Sequence, residues 1–477
     1  MSLKFGTSGL RGLSVDLTGR AAALYATAFG RYLLESGRIA ANDEVLVGRD
    51  YRDSSPEIAT NCIDALAAVG LRPVDCGAIA TPALALDALE RDRACLMVTG
   101  SHIPADRNGI KFYRPDGEID KADEAAISRE AVRLEQEGFS LPKKAAGYAA
   151  DDGATEERYF RRNASLLPPL ALKGLRVGVY QHSTVARDML ARILACHGAE
   201  VVALGRSDRF IPVDTEAVTS ETLDFLSAWA AEHRLDAIVS ADGDGDRPLV
   251  ADERGNPLRG DLLGLISANF LGASVVVTPV TSNSGIEASG TFRVERTRVG
   301  SPYVIAGMND ALHKGEDRVM GFEANGGVLT ASAFTVSGST LEPLPTRDCA
   351  LPILAALHAA NVEKQPLSAV AAAYKLPVAD ADRLEDFPQA TSSALMARLR
   401  SSPDALARFL APIGDVASTS DIDGLRVTLG DGRIIHFRPS GNAPEMRCYV
   451  EATTSEAAKA LLDQGLDAIR GFAATVP

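Results

Sequence analysis

Residues 45–76 read VLVGRDYRDSSPEIATNCIDALAAVGLRPVDC and alternate between strand-like and helix-like segments. Val45–Gly48 is a short apolar run, typical of a buried strand. In Ser54-Ser55-Pro56-Glu57, serine is a favoured helix cap and proline fits the first helical turn. Gly70 is a typical residue just beyond a helix end, and Arg72–Cys76 begins a second strand. Strands joined by a helix in this way form parallel, helix-covered sheets.

The same alternation continues through residue 370. The further predicted strands are Cys95–Val98, Leu175–Tyr180, Glu200–Leu204, Asp236–Ser240, Ser274–Thr278, Phe292–Thr297 and Arg318–Gly321. Because each is followed by a helix-like stretch, we predict three similar α/β domains. Their predicted boundaries are 1–145, 146–255 and 256–376.

The last hundred residues have a different pattern. Leu425–Leu429, Ile434–Phe437 and Arg447–Val450 read as strands, with a Gly-Asp-Gly turn between the first two. Such closely spaced strands predict an antiparallel sheet. Thr453 has capping-box spacing to Glu456 at the start of a final amphipathic helix. We therefore predict a smaller α+β domain over 377–477, so that the fold class is α/β, with three mixed-sheet domains and this fourth domain around a central cleft.

Composition narrows the class of partner. The 477 residues include 49 Lys and Arg against 63 Asp and Glu, a net charge of −14. An acidic chain is a poor ligand for nucleic acid or anionic membranes. Its six cysteines form no C-x-x-C pair, and no apolar run approaches the length of a membrane span. We expect a reduced, cytoplasmic protein with no nucleic-acid or membrane partner.

Residues 99–111, named here the nucleophile loop, follow the strand that ends at Val98. The loop contains Thr99-Gly100-Ser101-His102-Ile103-Pro104 and reaches Lys111. Ligands gather at the carboxyl ends of strands in open α/β sheets, so Ser101 is a candidate nucleophile or phosphate carrier. The alternative is a surface turn in which Ser101 bonds only to backbone.

Residues 242–247, the acidic loop, also follow a predicted strand and read Asp-Gly-Asp-Gly-Asp-Arg. Carboxylates at alternate positions can converge on one hard cation, and Mg²⁺ fits because it leaves positions open for phosphate. A solvated acidic turn is the plain alternative. An EF-hand calcium loop would place Glu253 at position 12, but it needs glycine where Arg247 stands and a helix where we predict a strand.

Two further loops carry polar groups suited to a sugar phosphate. The glutamate loop, residues 321–327, offers Glu323 and Asn325 to sugar hydroxyls. The arginine turn, residues 438–447, flanks a Ser-Gly-Asn sequence with Arg438 and Arg447, which can grip a phosphate through charge-assisted hydrogen bonds. With one such loop in each predicted domain, the chain predicts a site for a small anionic, hydroxyl-rich substrate.

The whole chain resembles the α-D-phosphohexomutase superfamily, most closely its phosphomannomutase branch. Residues 6–12, Gly-Thr-Ser-Gly-Leu-Arg-Gly, look like the N-terminal signature, and the four loops resemble the phosphoserine, magnesium, sugar and phosphate loops in order. The resemblance implies reversible phosphoryl transfer between positions 1 and 6 of a hexose, with mannose 6-phosphate preferred. It implies one Mg²⁺ per chain, hexose 1,6-bisphosphate as activator, hexose phosphates as partners, and a monomer or homodimer.

The resemblance also implies roles for individual residues. Ser101 would carry the phosphoryl group and bind Mg²⁺ together with Asp242, Asp244 and Asp246. The catalytic surroundings would be Arg11, His102, Lys111 and Arg247, with Lys111 the candidate acid or base. Substrate would be held by Glu323, Asn325, Arg438, Ser440, Gly441, Asn442 and Arg447.

The chain departs from the family pattern at three places. Ile103 stands where asparagine is usual, Asn442-Ala443 replaces Thr-Glu, and Gly327 stands where some relatives have a histidine proposed for proton transfer. The alternatives are a phosphoglucomutase, a phosphoglucosamine mutase, and a non-catalytic protein that binds sugar phosphate or calcium.

Overall fold

A computed structural model describes residues 3–6, 9–441 and 444–475. Up to residue 150 the strands are β1 (Lys4–Phe5), β2 (Leu10–Leu13), β3 (Glu44–Arg49), β4 (Arg72–Ala78), β5 (Ala94–Val98), β6 (Arg107–Arg114), β7 (Gly117–Glu118) and β8 (Ala149–Ala150). The helices of this stretch are α1 (Ser14–Leu17), α2 (Arg20–Glu35), α3 (Ser55–Ala68), α4 (Thr81–Glu90) and α5 (Lys121–Gln136).

The middle of the chain continues the alternation. Its elements up to residue 260 are α6 (Ala154–Ala164), β9 (Arg176–His182), α7 (Arg187–Cys196), β10 (Glu200–Arg206), α8 (Ser220–His233), β11 (Ala237–Ala241) and β12 (Pro248–Ala251). There follow α9 (Gly260–Leu271), β13 (Val275–Pro279), α10 (Ile286–Ser289), β14 (Arg293–Thr297), α11 (Ser301–His313), β15 (Val319–Phe322), β16 (Val328–Thr330), β17 (Phe334–Val336), β18 (Ser339–Leu341), β19 (Leu344–Asp348), α12 (Ala350–Glu363) and α13 (Leu367–Ala373).

The C-terminal part begins after α13. Its elements are β20 (Val378–Leu384), α14 (Gln389–Ser401), α15 (Pro403–Leu410), β21 (Val416–Ser420), β22 (Leu425–Leu429), β23 (Ile434–Pro439), β24 (Met446–Ala452) and α16 (Ser455–Ala473). The chain forms two compact units. The first runs up to Val277 and resumes at Gly300–Ala373, and the second combines Thr278–Val299 with the residues from Tyr374 onward.

The first unit begins with a mixed sheet in the order β1-β2-β6-β5-β3-β4-β8, with β7 beside β6. Strands β4, β3 and β5 are parallel, as the 45–76 stretch predicts, whereas β6 and β2 run antiparallel at one side. The antiparallel strands make this a mixed sheet, in agreement with the predicted fold class. Helices α3 and α5 pack against α2 over a core that includes Phe29, Ile58 and Phe112.

Two further mixed sheets belong to the same unit. In the second, parallel strands β10, β9 and β11 are followed by antiparallel β12. In the third, parallel β13 and β15 are followed by antiparallel β16 and β19. The nucleophile, acidic and glutamate loops leave the carboxyl ends of β5, β11 and β15, one in each sheet.

The second unit contains the predicted antiparallel sheet, in the order β20-β24-β23-β22-β21. Its last helix, α16, packs on this sheet through Leu461, Leu462 and Ile469. The cap is Thr454, whose side chain accepts a hydrogen bond from the Ala457 amide, so the predicted start at Thr453 is wrong by one residue. The predicted fold class, three mixed α/β sheets before a smaller α+β part, is confirmed.

Two negative expectations can be compared with the structure. All six cysteines are free thiols. Among the helices that the structure describes, none is both long enough and apolar enough to cross a membrane.

Candidate active site

Ser101 lies immediately beyond β5 with its side chain buried. Its φ of 55° is in the left-handed region, which is uncommon for a residue other than glycine. The Ser101 amide donates to Thr99 Oγ1 at 2.7 Å, and Ser101 Oγ donates to Asp242 Oδ2 at 2.5 Å. The nucleophile loop and the acidic loop therefore meet at Ser101, which is a buried residue and not a residue of an exposed turn.

Arg52 holds the nucleophile loop in this conformation. Its guanidinium is fully buried and pairs with Asp50, with Nε 3.2 Å from Oδ2. The four remaining bonds go to main-chain carbonyl oxygens of the loop. Arg52 Nη2 donates to Ser101 at 2.9 Å and to Ile103 at 2.6 Å, and Nη1 donates to Pro104 and to Arg107. One planar cation thus bonds four carbonyl oxygens of this loop.

The three aspartates of the acidic loop are all buried and converge on one point. One carboxylate oxygen from each lies within 4.8 Å of the others. Lys111 Nζ donates to Asp244 Oδ2 at 2.6 Å and to Asp246 Oδ2 at 2.5 Å. Arg347 also donates to Asp246 Oδ2, at 2.7 Å from Nη2 and 3.0 Å from Nε. Lys111 and Arg347 therefore bond to the Oδ2 atoms of Asp244 and Asp246.

The second oxygens of these two aspartates fit a metal ion. Asp244 Oδ1 and Asp246 Oδ1 are buried, and neither has a hydrogen-bond partner among the described residues. Unpaired buried carboxylate oxygens are costly, and a hard divalent cation prefers such ligands. With Asp242 Oδ2 beside Ser101 Oγ, the donor set is three carboxylates and one hydroxyl, and these hard oxygen ligands are compatible with Mg²⁺. The preceding element is strand β11, which rules out an EF-hand helix.

The neighbouring charges shift the pKa values of the triad and of Lys111 in different directions. Burial, followed by the negative charges of Asp244 and Asp246, raises the pKa of Asp242 to about 8. Burial alone would raise the pKa of Asp246, but Arg347 and Lys111 hold it well below its usual range. Burial alone would lower the pKa of Lys111, but its two aspartate partners raise it above the usual value. A divalent cation would relieve the like-charge repulsion that acts on Asp242.

His102 and the arginines form the opposite side of Ser101. Arg247 Nη1 donates to His102 Nδ1 at 2.7 Å, and Ser101 Oγ lies 3.3 Å from the same nitrogen. Burial, together with the charges of Arg247 and Arg11, lowers the pKa of His102 to about 2. Burial and Arg247 lower the pKa of Arg11 to about 10. At neutral pH the site therefore contains a neutral imidazole and two charged guanidinium groups.

The glutamate loop is a tight turn with both candidate residues buried. Gly326 has a φ of +84° and donates its amide to the Glu323 carbonyl at 2.9 Å. Asn325 Oδ1 accepts from the Gly327 amide at 3.0 Å, and Glu323 Oε2 accepts from Arg347 Nη1 at 2.8 Å. Arg347 therefore joins the glutamate loop to Asp246.

Sequence reasoning missed Arg52 and Arg347. Arg52 follows β3 in the stretch Arg49-Asp50-Tyr51-Arg52. The alternating charges are visible there, but they do not indicate which groups Arg52 would contact. Arg347 lies on β19, a strand that the sequence analysis did not predict. Recognising Leu344–Asp348 as a strand would have placed its basic residue at a carboxyl end, beside the other loops.

The arginine turn belongs to the second unit. Arg438 and Arg447 are direct partners in the β23–β24 ladder, which places the two side chains side by side. Arg438 Nε donates to Asp423 Oδ2 at 2.9 Å, and Arg447 Nη2 donates to Glu445 at 3.2 Å. Ser440 is buried and Gly441 exposed. Asn442 lies outside the described residues, so its predicted role stays a prediction.

Comparison with known proteins gives one family for the whole chain. Four models match in order. They are the "Phosphoglucomutase/phosphomannomutase" alpha/beta/alpha domain I at residues 2–137, domain II at 157–255, domain III at 259–376 and the C-terminal domain at 369–468.

Individual relatives agree with these matches. A phosphomannomutase of Sinorhizobium fredii (strain NBRC 101917 / NGR234) is 57% identical, covering 98% of each chain. A phosphomannomutase of Salmonella muenchen is 40% identical over 98% of this chain and 96% of that protein. A solved family protein from Burkholderia thailandensis is similar in fold, with a TM-score of 0.77, 22% identity, and coverage of 99% and 98%. The chain belongs to the phosphoglucomutase/phosphomannomutase family and is a phosphohexomutase, an isomerase.

Proposed function

We propose that this phosphohexomutase interconverts mannose 6-phosphate and mannose 1-phosphate through a phosphorylated Ser101 and a hexose 1,6-bisphosphate. The observation that carries the proposal is the hydrogen bond that the buried Ser101 hydroxyl donates to Asp242. In the same triad, Asp244 Oδ1 and Asp246 Oδ1 have no hydrogen-bond partner among the described residues. The two phosphomannomutase relatives, at 57% and 40% identity, support mannose as the preferred sugar.

Asp242, Asp244 and Asp246 would hold one Mg²⁺ together with an oxygen on Ser101. The ion would neutralise negative charge on the transferred phosphoryl group. Phosphoryl transfer depends mainly on positioning and charge stabilisation. The left-handed backbone of Ser101 and the Arg52 bonds to its loop supply the positioning from the protein side.

In the first half-reaction the Ser101 Oγ–phosphorus bond would break while a sugar hydroxyl forms the new oxygen–phosphorus bond, and Ser101 Oγ would gain a proton in exchange for the one that the sugar hydroxyl loses. In the second half-reaction a sugar oxygen–phosphorus bond would break and the Ser101 Oγ–phosphorus bond would form again. The bisphosphate would thus return its other phosphate to Ser101. Arg11 and Arg247 would stabilise the negative charge of the phosphoryl group during its transfer. In a site with little water, each contribution would be on the order of a few kcal/mol. His102 would accept a hydrogen bond as a neutral ring. Because its carboxylate partners keep Lys111 Nζ charged, Lys111 would donate a proton rather than accept one.

Substrate recognition would be shared between two sets of residues. Glu323 and Asn325 would bind sugar hydroxyls, since both are buried polar groups in a turn fixed by its own backbone. Arg438, Ser440, Gly441, Asn442 and Arg447 would bind the phosphate that does not react.

The test is ³¹P NMR of the protein with mannose 1-phosphate, glucose 1-phosphate or glucosamine 1-phosphate, each with Mg²⁺ and a trace of hexose 1,6-bisphosphate. We expect mannose 1-phosphate to be converted fastest to its 6-phosphate. Faster conversion of glucosamine 1-phosphate would show that the preferred substrate is an amino-sugar phosphate and not mannose phosphate. Release of inorganic phosphate from every sugar, with no 6-phosphate formed, would contradict the proposal.

A further inference from the structure

Arg347 connects two parts of the site through a single side chain. It is buried on β19, and its three guanidinium nitrogens are all used. Nη1 lies 2.8 Å from Glu323 Oε2, while Nη2 and Nε lie 2.7 and 3.0 Å from Asp246 Oδ2. A planar fork of this kind fixes the orientation of both carboxylates at once.

The stem of Arg347 is confined by the glutamate loop. A Cβ atom placed on Gly327 would lie only 2.6 to 2.9 Å from the Cδ, Cγ and Cβ atoms of Arg347. Contacts this short do not occur between real side chains, so Arg347 fills the space that a side chain at 327 would need.

The pairing changes the charge that Glu323 presents. A lone buried carboxylate would attract a cation strongly, because the local dielectric constant is low and water is scarce. Arg347 supplies a positive charge within hydrogen-bond distance of Glu323, and a guanidinium stays protonated in proteins. Arg347 shares its charge between Glu323 and Asp246, and Asp246 has a second cation in Lys111, so the negative charge that Glu323 presents is reduced.

We propose that Arg347 determines the class of sugar, because its pairing with Glu323 lets the site accept a neutral hydroxyl and disfavours the ammonium group of an amino-sugar phosphate. The inference rests on the proposed role of Glu323 in sugar binding. It separates this chain from an amino-sugar mutase by a residue outside the four loops. The ammonium need not touch Glu323, since charges interact over several ångströms in a buried site.

Glucose 6-phosphate and glucosamine 6-phosphate are a matched pair for the test, because they differ only by hydroxyl or ammonium at carbon 2. Isothermal titration calorimetry at pH 7 with Mg²⁺ gives both Kd values for each variant, whether or not the variant turns over. In Arg347→Met, Glu323 loses its partner, and we expect the Kd ratio to shift at least about tenfold toward glucosamine 6-phosphate, or about 1.4 kcal/mol. Arg347→Lys retains the charge and should retain the wild-type ratio.

Glu323→Gln provides an independent arm that leaves Arg347 in place. The guanidinium would then lack one of its anions, and the ratio should shift further against glucosamine 6-phosphate. In the double variant Arg347→Met/Glu323→Gln, the gain of the single Arg347→Met should disappear. Thermal unfolding identifies any variant that has failed to fold, in which case the remaining variants decide.

An unchanged Kd ratio in both Arg347→Met and Glu323→Gln would overturn the inference. So would an equal shift in Arg347→Lys and Arg347→Met, because that pattern reflects lost packing and not lost charge. Failure of the proposed function would appear differently, as wild-type protein that converts no hexose 1-phosphate in the NMR experiment.

Discussion

At the scale of the residue, Ser101 is the group on which the proposed chemistry depends. Ser101→Ala should lower the mutase rate on the order of 10⁴-fold or more, because no neighbouring side chain can carry the phosphoryl group in its place. Its loop should keep its shape, since Arg52 bonds to the loop backbone and not to the serine hydroxyl. Coupled-assay kinetics and intact-protein mass spectrometry measure the rate and the phosphate. Ser267→Ala, which removes a buried hydroxyl on α9 that bonds to the Leu263 carbonyl, is the matched control.

Arg52 is the residue whose loss should destabilise the site most. Arg52→Met would remove the cation that pairs with buried Asp50 and the donor to four main-chain carbonyls, at a cost of about 3–5 kcal/mol in the free energy of unfolding. Urea unfolding measures that change. The control Arg161→Met removes a 77% exposed partner of Glu157 and should change the free energy by less than about 0.5 kcal/mol. Equal effects of the two substitutions would contradict the role of Arg52.

At the scale of the element, the turn between β15 and β16 is tied to β19 through Gly327 and Arg347. Gly327→Ala should displace the Arg347 stem and cost about 1–3 kcal/mol of overpacking strain. It should also raise the KM for the sugar phosphate and lower kcat, since Arg347 bonds both Glu323 and Asp246. Gly338→Ala, in the β17–β18 turn, is the control for effects on stability, because its added Cβ meets nothing within 4 Å. That control has a φ of +82°, so its strain is conformational only. A steady-state KM equal to that of the wild type would contradict the coupling.

At the scale of the whole molecule, the cation site joins separate sheets of the first unit. Ser101 follows the first sheet, the triad follows the second, and Arg347 comes from the third. Mg²⁺ should therefore stabilise the fold, by about 2.7 kcal/mol when its concentration is a hundredfold above Kd. Differential scanning calorimetry with Mg²⁺ and with chelator measures the change in Tm.

Asp244→Asn should abolish most of this Mg²⁺-dependent stabilisation, because Asp244 Oδ1 is one of the unpaired ligand atoms. Asp467→Asn, at an exposed position of α16, should leave it unchanged. A Tm that ignores Mg²⁺ in the wild-type protein would count against the cation site.

The fold class and the positions of the nucleophile loop and the acidic loop could be predicted from the sequence. Each of these rests on neighbouring residues, such as Ser101 after a strand or Asp242, Asp244 and Asp246 at alternate positions, so local pattern was sufficient. Mixed sheets were predicted, but the sequence did not identify which strands run antiparallel, because pairing direction depends on where the chain returns.

The roles of Arg52 and Arg347 could be recognised only from the three-dimensional structure. Arg52 bonds to carbonyls 49 to 55 residues away, and Arg347 reaches Asp246 across 101 residues. Nothing local distinguishes these arginines from others in an acidic chain. Only packing excludes water from them, and it is this exclusion that turns an ordinary surface cation into a group that positions the loop of Ser101 or pairs with Glu323.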